Sequence, residues 1–84
     1  MEATEERSLK KLVEYIVTAL VDDPDQIKIA ERRGRNTTII ELAVAKEDIG
    51  KVIGKEGRTI NAIRTLLNAA GASQKQRVVL EVMG

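Results

Sequence analysis

The sequence predicts an α+β fold, a three-stranded mixed sheet with helices packed on one face, in the order α-β-β-α-α-β. Three observations carry that reading. Apolar residues recur at helical spacing from Leu9 to Leu20, alternate at strand spacing on either side of an arginine-rich turn, and alternate again from Arg77 to Met83. A glycine-punctuated stretch, Gly50 to Ile60, lies between two short apolar-periodic segments. The connection that contains it is long enough for a crossover, so the second and third strands are expected to run parallel and right-handed, and the first two antiparallel.

In chain order, residues 1–6 are polar and are expected to fray or cap. Leu9, Leu12, Val13, Ile16, Val17 and Leu20 then follow the three-and-four spacing of an amphipathic helix. It should end near Val21, because Pro24 disfavours helical geometry at Asp23 and lacks the N–H that a continuing helix needs. Tyr15, the only aromatic residue, falls on this helix and reads as a packed or half-exposed ring. Ile27 and Ile29 alternate with polar neighbours as in a half-buried strand. Arg32-Arg33-Gly34-Arg35-Asn36 reads as a basic turn, and Thr37 to Val44 as the second strand of a hairpin, with Ile40, Leu42 and Val44 inward. Two readings of the arginines stand: a solvated tip that discourages edge pairing, or an auxiliary contact to nucleic acid.

Ala45-Lys46-Glu47-Asp48 starts a short helix with acids in its first turn, where the helix dipole favours them. Ile49, Val52 and Ile53 form its apolar side. After the glycine turn, Ile60, Ile63, Leu66, Leu67 and Ala70 mark the core face of a last helix, closed by Gly71 at the position after its end. The loop 72–76 leads to the third strand, with Val78, Leu80 and Val82 on one side.

Composition bounds the function. At 84 residues, 43% hydrophobic and 32% charged, the chain reads as one globular domain spanning 1–84. Cysteine and histidine are absent, which excludes disulfides, thiolate chemistry, the usual zinc frameworks and histidine-based triads. No apolar run approaches a membrane span and the acidic N-terminus does not read as a signal peptide, so a soluble cytoplasmic protein is expected, with no membrane association. Seven acids and three bases occupy residues 1–25, whereas bases outnumber acids in the remainder. A polyanion would thus be turned away from one end and tolerated at the other.

The candidate site is the turn itself. Two glycines bracketing two residues let the backbone bend sharply and approach a ligand closely. The turn feeds a helix, whose unbonded N–H groups and positive dipole end favour an anion. Lys55 lies between the glycines, Lys51 before them, and Arg58 and Arg64 after, against one carboxylate in the turn, Glu56. A nucleotide-binding P-loop does not fit, since Gly50 and Gly54 are one residue too close and Glu56 stands where a hydroxyl should follow the lysine. A dinucleotide fingerprint fails as well, because Val52 stands where a glycine is needed. The competing reading is a tight corner between helices and nothing more.

Val52-Ile53-Gly54-Lys55-Glu56-Gly57-Arg58-Thr59-Ile60 resembles the signature of the KH domain, Ile-Gly-x-x-Gly-x-x-Ile. Together with the element order, it resembles the type II KH fold, the bacterial form. Leu12 to Val17, Asp48 to Lys55 and Arg77 to Val82 are together similar to the small stand-alone bacterial KH proteins of the KhpA family. The resemblance covers essentially the whole chain. It implies single-stranded RNA as partner, with Gly54, Lys55, Glu56 and Gly57 gripping the backbone of about four nucleotides. It further implies Ile53 and Ile60 as the apolar positions that join the helices, and Val52 with Leu42 or Ala43 lining a groove for bases. Lys51, Lys55, Arg58 and Arg64 are the phosphate candidates, and Glu56 departs from the pattern by placing an acid in the grip. The near absence of aromatics fits this mode and not an RRM, which stacks bases on aromatic rings.

No catalysis, cofactor, metal or small-molecule substrate is implied. The resemblance implies an RNA chaperone or post-transcriptional regulator, linked to cell elongation and division. It also implies pairing, as a homodimer or with a larger KhpB/Jag-type KH protein, with Leu67 as an expected apolar contact. The alternative is a protein-interaction or dimerisation adaptor whose RNA affinity is incidental.

Overall fold

The computed structural model describes residues 8–83, and the expected fraying of 1–6 lies outside them. Helix α1, Leu9–Leu20, starts where the Ser8 hydroxyl accepts a hydrogen bond from the Lys11 amide at 3.2 Å, a cap worth about 1 kcal/mol. Leu9, Val13 and Val17 turn inward, and Val21 leaves the helix in extended geometry. A 3-10 turn, Pro24–Gln26, uses the fixed φ of Pro24 at its first position. Tyr15, neither packed nor half-exposed, is 78% exposed on the outer face.

Strands β1, Lys28–Arg33, and β2, Thr37–Ala43, pair antiparallel, with Arg33 opposite Thr38. Arg32 and Arg33 therefore belong to the strand, and the turn shrinks to Gly34, Arg35 and Asn36, closed by a 2.7 Å bond from the Gly34 amide to the Thr37 carbonyl. A 3-10 turn, Lys46–Asp48, precedes helix α2, Ile49–Ile53. Helix α3, Arg58–Ala72, follows the glycine turn, and β3, Arg77–Met83, lies parallel beside β2. The sheet order is β1-β2-β3, the mixed α+β arrangement of the type II KH fold.

Alternation places Thr38, Ile40 and Leu42 of β2 and Val78 and Leu80 of β3 under the helices. Ile40, Leu42, Val78 and Leu80 join Val13, Val17, Val52, Ile60, Ile63 and Leu67 in one buried apolar cluster. On the far face Glu41 and Glu81 are register neighbours, an unfavourable pairing that Arg32 relieves by bonding Glu41 diagonally at 3.0 Å. The open edge of β3 is covered by side chains from α3. Asn68 donates to the Val78 carbonyl at 3.2 Å and accepts from its amide at 3.0 Å, and Arg64 donates to the Leu80 carbonyl at 3.1 Å. Those bonds occupy groups that would otherwise recruit another strand.

Two expectations for α3 are corrected. Leu66 is 55% exposed, because the buried stripe runs through Ile60, Ile63 and Leu67, to one side of it. Gly71 does not end the helix but lies inside it, buried where α3 presses on the start of β3. The residue in the left-handed closing position is Lys75, at φ 57°. Its amide bonds the Ala72 carbonyl at 3.0 Å and that of Gln76 bonds the Gly71 carbonyl at 2.9 Å, the paired bonds of a Schellman motif.

Asp48, read from the sequence as an acid favoured by the helix dipole, is 2% exposed. Its carboxylate accepts from the Asp23 amide at 3.0 Å and from Lys51 Nζ at 3.2 Å, and Lys51 also reaches Asp22 at 2.8 Å. Burial pushes the Asp48 carboxyl up, but hydrogen bonds from the Asp22 and Asp23 backbone and from Lys51 outweigh it and hold it below 3.8. Hydrogen bonds to Asp22 and Asp48 raise Lys51 above 10.5. Stability from the carboxylate is thus present above pH 3.8 and lost as pH falls through its lowered value; that from Lys51 is present below pH 10.5 and lost as pH rises through its raised value. Asp48→Asn should lower the melting temperature at pH 7, with the gap to the wild type closing once pH drops below 3.8. A gap that stays constant into acid would assign the effect to packing alone.

Candidate nucleic-acid interface

Three of the four residues of the turn, Gly54, Glu56 and Gly57, adopt unusual backbone geometry. Gly54 ends α2, its amide bonding the Gly50 carbonyl at 2.8 Å, and adopts φ 78°, ψ 169°, a region essentially reserved for glycine. A Cβ there would also collide with the Thr59 hydroxyl and stand 2.9 Å from the Thr59 amide. Glu56 and Gly57 are both left-handed, at φ 56° and 76°. Gly57 differs from Gly54 in that an added Cβ would meet only ordinary van der Waals contacts, the nearest being Asn61 Nδ2 at 3.6 Å. Gly54 is thus required by packing and conformation together, and Gly57 by conformation alone.

The sequence Lys55-Glu56-Gly57 forms one 3-10 turn directly at the head of α3. No side chain caps α3. Lys55 and Glu56 head the turn, so no carbonyl within it serves their amides, and neither forms another bond among the described residues. These amides, the positive end of a 15-residue helix and two exposed cations, Lys55 and Arg58, share one surface. Glu56 leans toward Arg58, 3.5 Å away, in an ion pair whose side chains are 68% and 78% exposed. So exposed a pair adds little to stability.

Of the expected contact residues, Gly54, Lys55, Glu56, Gly57 and Arg58 come together here. Lys51 does not join them, being held between Asp22 and Asp48, and Arg64 is engaged on the β3 edge. Val52 and Leu42 are corrected as base-contacting candidates: both are fully buried, because each fills the core between helix and sheet. Ala43 sits on the sheet face away from the helices, in register with Lys28 and Met83. Leu67, expected as a pairing contact, is fully buried too, and the exposed leucine on α3 is Leu66. Asn68 escaped the sequence reading; its only signal there is a polar residue one turn after Arg64 on the same helix.

No helix among the described residues is long and apolar enough to cross a membrane. Among those residues no cluster of acids is placed to hold a metal ion.

Residues 10–82 match the family model described as KhpA/KhpB, KH domain. The chain is 53% identical over 75 residues to the RNA-binding protein KhpA of Chlamydia pneumoniae, covering 89% of this chain and 96% of the relative. It is 52% identical over 73 residues to the protein of that name from Caldanaerobacter subterraneus, covering 87% and 97% of the two chains. With that of Clostridium acetobutylicum it shares 48% over 75 residues, 89% of this chain and 100% of the relative. No solved structure matches the chain.

Proposed function

Because the chain belongs to the KhpA/KhpB family of KH domains, we propose that it binds single-stranded RNA without catalysis, seating the sugar–phosphate backbone on the turn from Gly54 to Gly57. The observation that carries this reading is the conjunction at the head of α3. Unbonded amides, the positive end of a helix and the exposed cations Lys55 and Arg58 fall together within residues 54–58. Two cations imply about two phosphate contacts, and hence a slope of log affinity against log salt near −1.4 on a short strand.

So small a grip gives modest affinity, which suits an RNA chaperone or post-transcriptional regulator acting on many transcripts, including those governing cell elongation and division. Useful affinity then calls for a second module that raises effective concentration, supplied by a second copy or by a larger KhpB/Jag-type KH protein. An exposed stripe on α3, Ala62, Leu66 and Ala69, supports that pairing and also the second reading, an adaptor in which association is the function.

One titration decides between them. When tetra-uridylate is added, the amide resonances of Gly54 to Arg58 should shift, with Ala62, Leu66 and Ala69 unaffected. Amides that stay in place while the α3 stripe broadens with protein concentration would discard the RNA grip and leave the adaptor.

A further inference from the structure

Helix α2 is too short to hold its own place. It has five residues, Ile49–Ile53, well under the length of about 12 at which a helix becomes even marginally stable alone in water. Val52 alone of the five is fully buried, and no side chain caps the start of the helix. Yet its end delivers Gly54, whose amide is bonded to the Gly50 carbonyl, so any roll or slide of α2 is passed on to the peptide planes of Lys55 and Glu56. The other side of the turn is fixed by α3, where Gly54 lies against Thr59.

The anchor for α2 is polar and comes from the segment after α1. Asp48, immediately before α2, is buried, and its carboxylate is divided between two partners: Oδ2 accepts from the Asp23 amide at 3.0 Å and Oδ1 from Lys51 Nζ at 3.2 Å. Lys51 in turn reaches Asp22 Oδ2 at 2.8 Å. The first turn of α2 is thereby tied to two consecutive residues, 22 and 23, from a distant part of the chain. Among the described residues this cluster holds the only ion pair with a buried member. A buried pair adds little stability over a well-packed apolar substitute, so stability alone does not account for placing one beside the helix that carries the turn.

We infer that Asp22, Asp48 and Lys51 are positioning residues for the glycine turn, a clamp that fixes α2 so that the amides of Lys55 and Glu56 stand ready for a phosphate before RNA arrives. The inference rests on the reading that single-stranded RNA sits on that turn. Donors fixed in advance bind more tightly, because less ordering is left to the binding step. Geometry and charge then act in opposite senses. Asp22 and Asp48 repel a polyanion, and neutralising either would leave Lys51 freer to attract one, so by charge alone their loss would strengthen binding.

Tetra-uridylate binding at about 50 and 200 mM salt, measured below the melting temperature of each variant, separates the two. Asp48→Asn should weaken binding by about tenfold, the low end of what losing an orienting partner costs at a metal ligand. Asp22→Asn, which alters an exposed partner, should weaken it by about twofold. Both should keep a salt slope of about −1.4. Lys51→Gln should also weaken binding at that slope, whereas a slope flatter by about 0.7 would make Lys51 a phosphate ligand and overturn the clamp. Tighter binding or a steeper slope in either asparagine variant overturns it too, being the result of charge alone. Val78→Ala controls for lost stability: it opens the core beside Gly71, at the end of α3 away from the turn, and should leave affinity unchanged. A loss there equal to that of Asp48→Asn would reduce the clamp to general destabilisation. In the free protein the amide resonances of Gly54 to Gly57 should move in Asp48→Asn and stay in place in Val78→Ala, a readout that needs no RNA. Failure of the RNA reading is seen separately, as wild-type amides that ignore tetra-uridylate.

Discussion

Replacing Lys55 and Glu56 together by aspartate should weaken binding of tetra-uridylate by about 30-fold and leave the melting temperature where it was. A unit charge about 4 Å from a phosphate is worth about 1 kcal/mol in a water-like medium, and Lys55→Asp changes the local charge by two units. That is about 2 kcal/mol, or about 30-fold in the dissociation constant. Stability should hold because both side chains are exposed and substitutions at such positions move it by about 0.5 kcal/mol or less. Glu56 is moreover left-handed at φ 56°, a conformation that aspartate tolerates better than glutamate. The complementary arm is Glu56→Gln, which releases Arg58 from its 3.5 Å partner and should strengthen binding several-fold with a steeper salt slope. A folded double-aspartate variant that keeps full affinity would remove the glycine turn from the RNA site.

The fold was legible because its elements repeat at two distinct periods. Val13 and Val17 one turn apart, and Ile40 and Leu42 two residues apart, announce a helix and a strand without any knowledge of their neighbours. The glycine turn was legible for a different reason: a residue type with unusual backbone freedom was placed twice in four positions, and both positions have φ above 70°. What local pattern does not encode is who meets whom across the chain. Lys51 looks like any exposed cation until Asp22, 29 residues away, is brought to 2.8 Å. Asp48 fits the first turn of a helix in sequence and is buried only because Asp23 and Lys51 converge on it. Arg64 and Asn68 are surface residues by pattern, and become edge covers because β3 is parallel to β2 and open on its other side.

Position 71 shows the same limit with a sign attached. A glycine within a helix costs about 1 kcal/mol against alanine, so on helix propensity alone Gly71→Ala should stabilise α3. The packing argues the reverse. An alanine Cβ would lie 2.7 Å from the Gln76 carbonyl oxygen and 2.7 Å from Val78 Cγ2, closer than such atoms approach. Val78 can adjust its rotamer. The Gln76 carbonyl has far less freedom, because the Gln76 amide is bonded to Gly71 and its side chain is fixed by bonds to Thr38 and Arg35. Relief therefore requires α3 to back away from β3, loosening the Asn68 bonds to Val78 and the packing of Leu67. Overpacking of that kind costs about 3 kcal/mol, which outweighs the propensity gain. The net loss of about 2 kcal/mol should lower the melting temperature by about 8–16 °C for a domain of this size. A variant melting above the wild type would show that propensity wins and that the contact with β3 yields where the geometry makes it rigid.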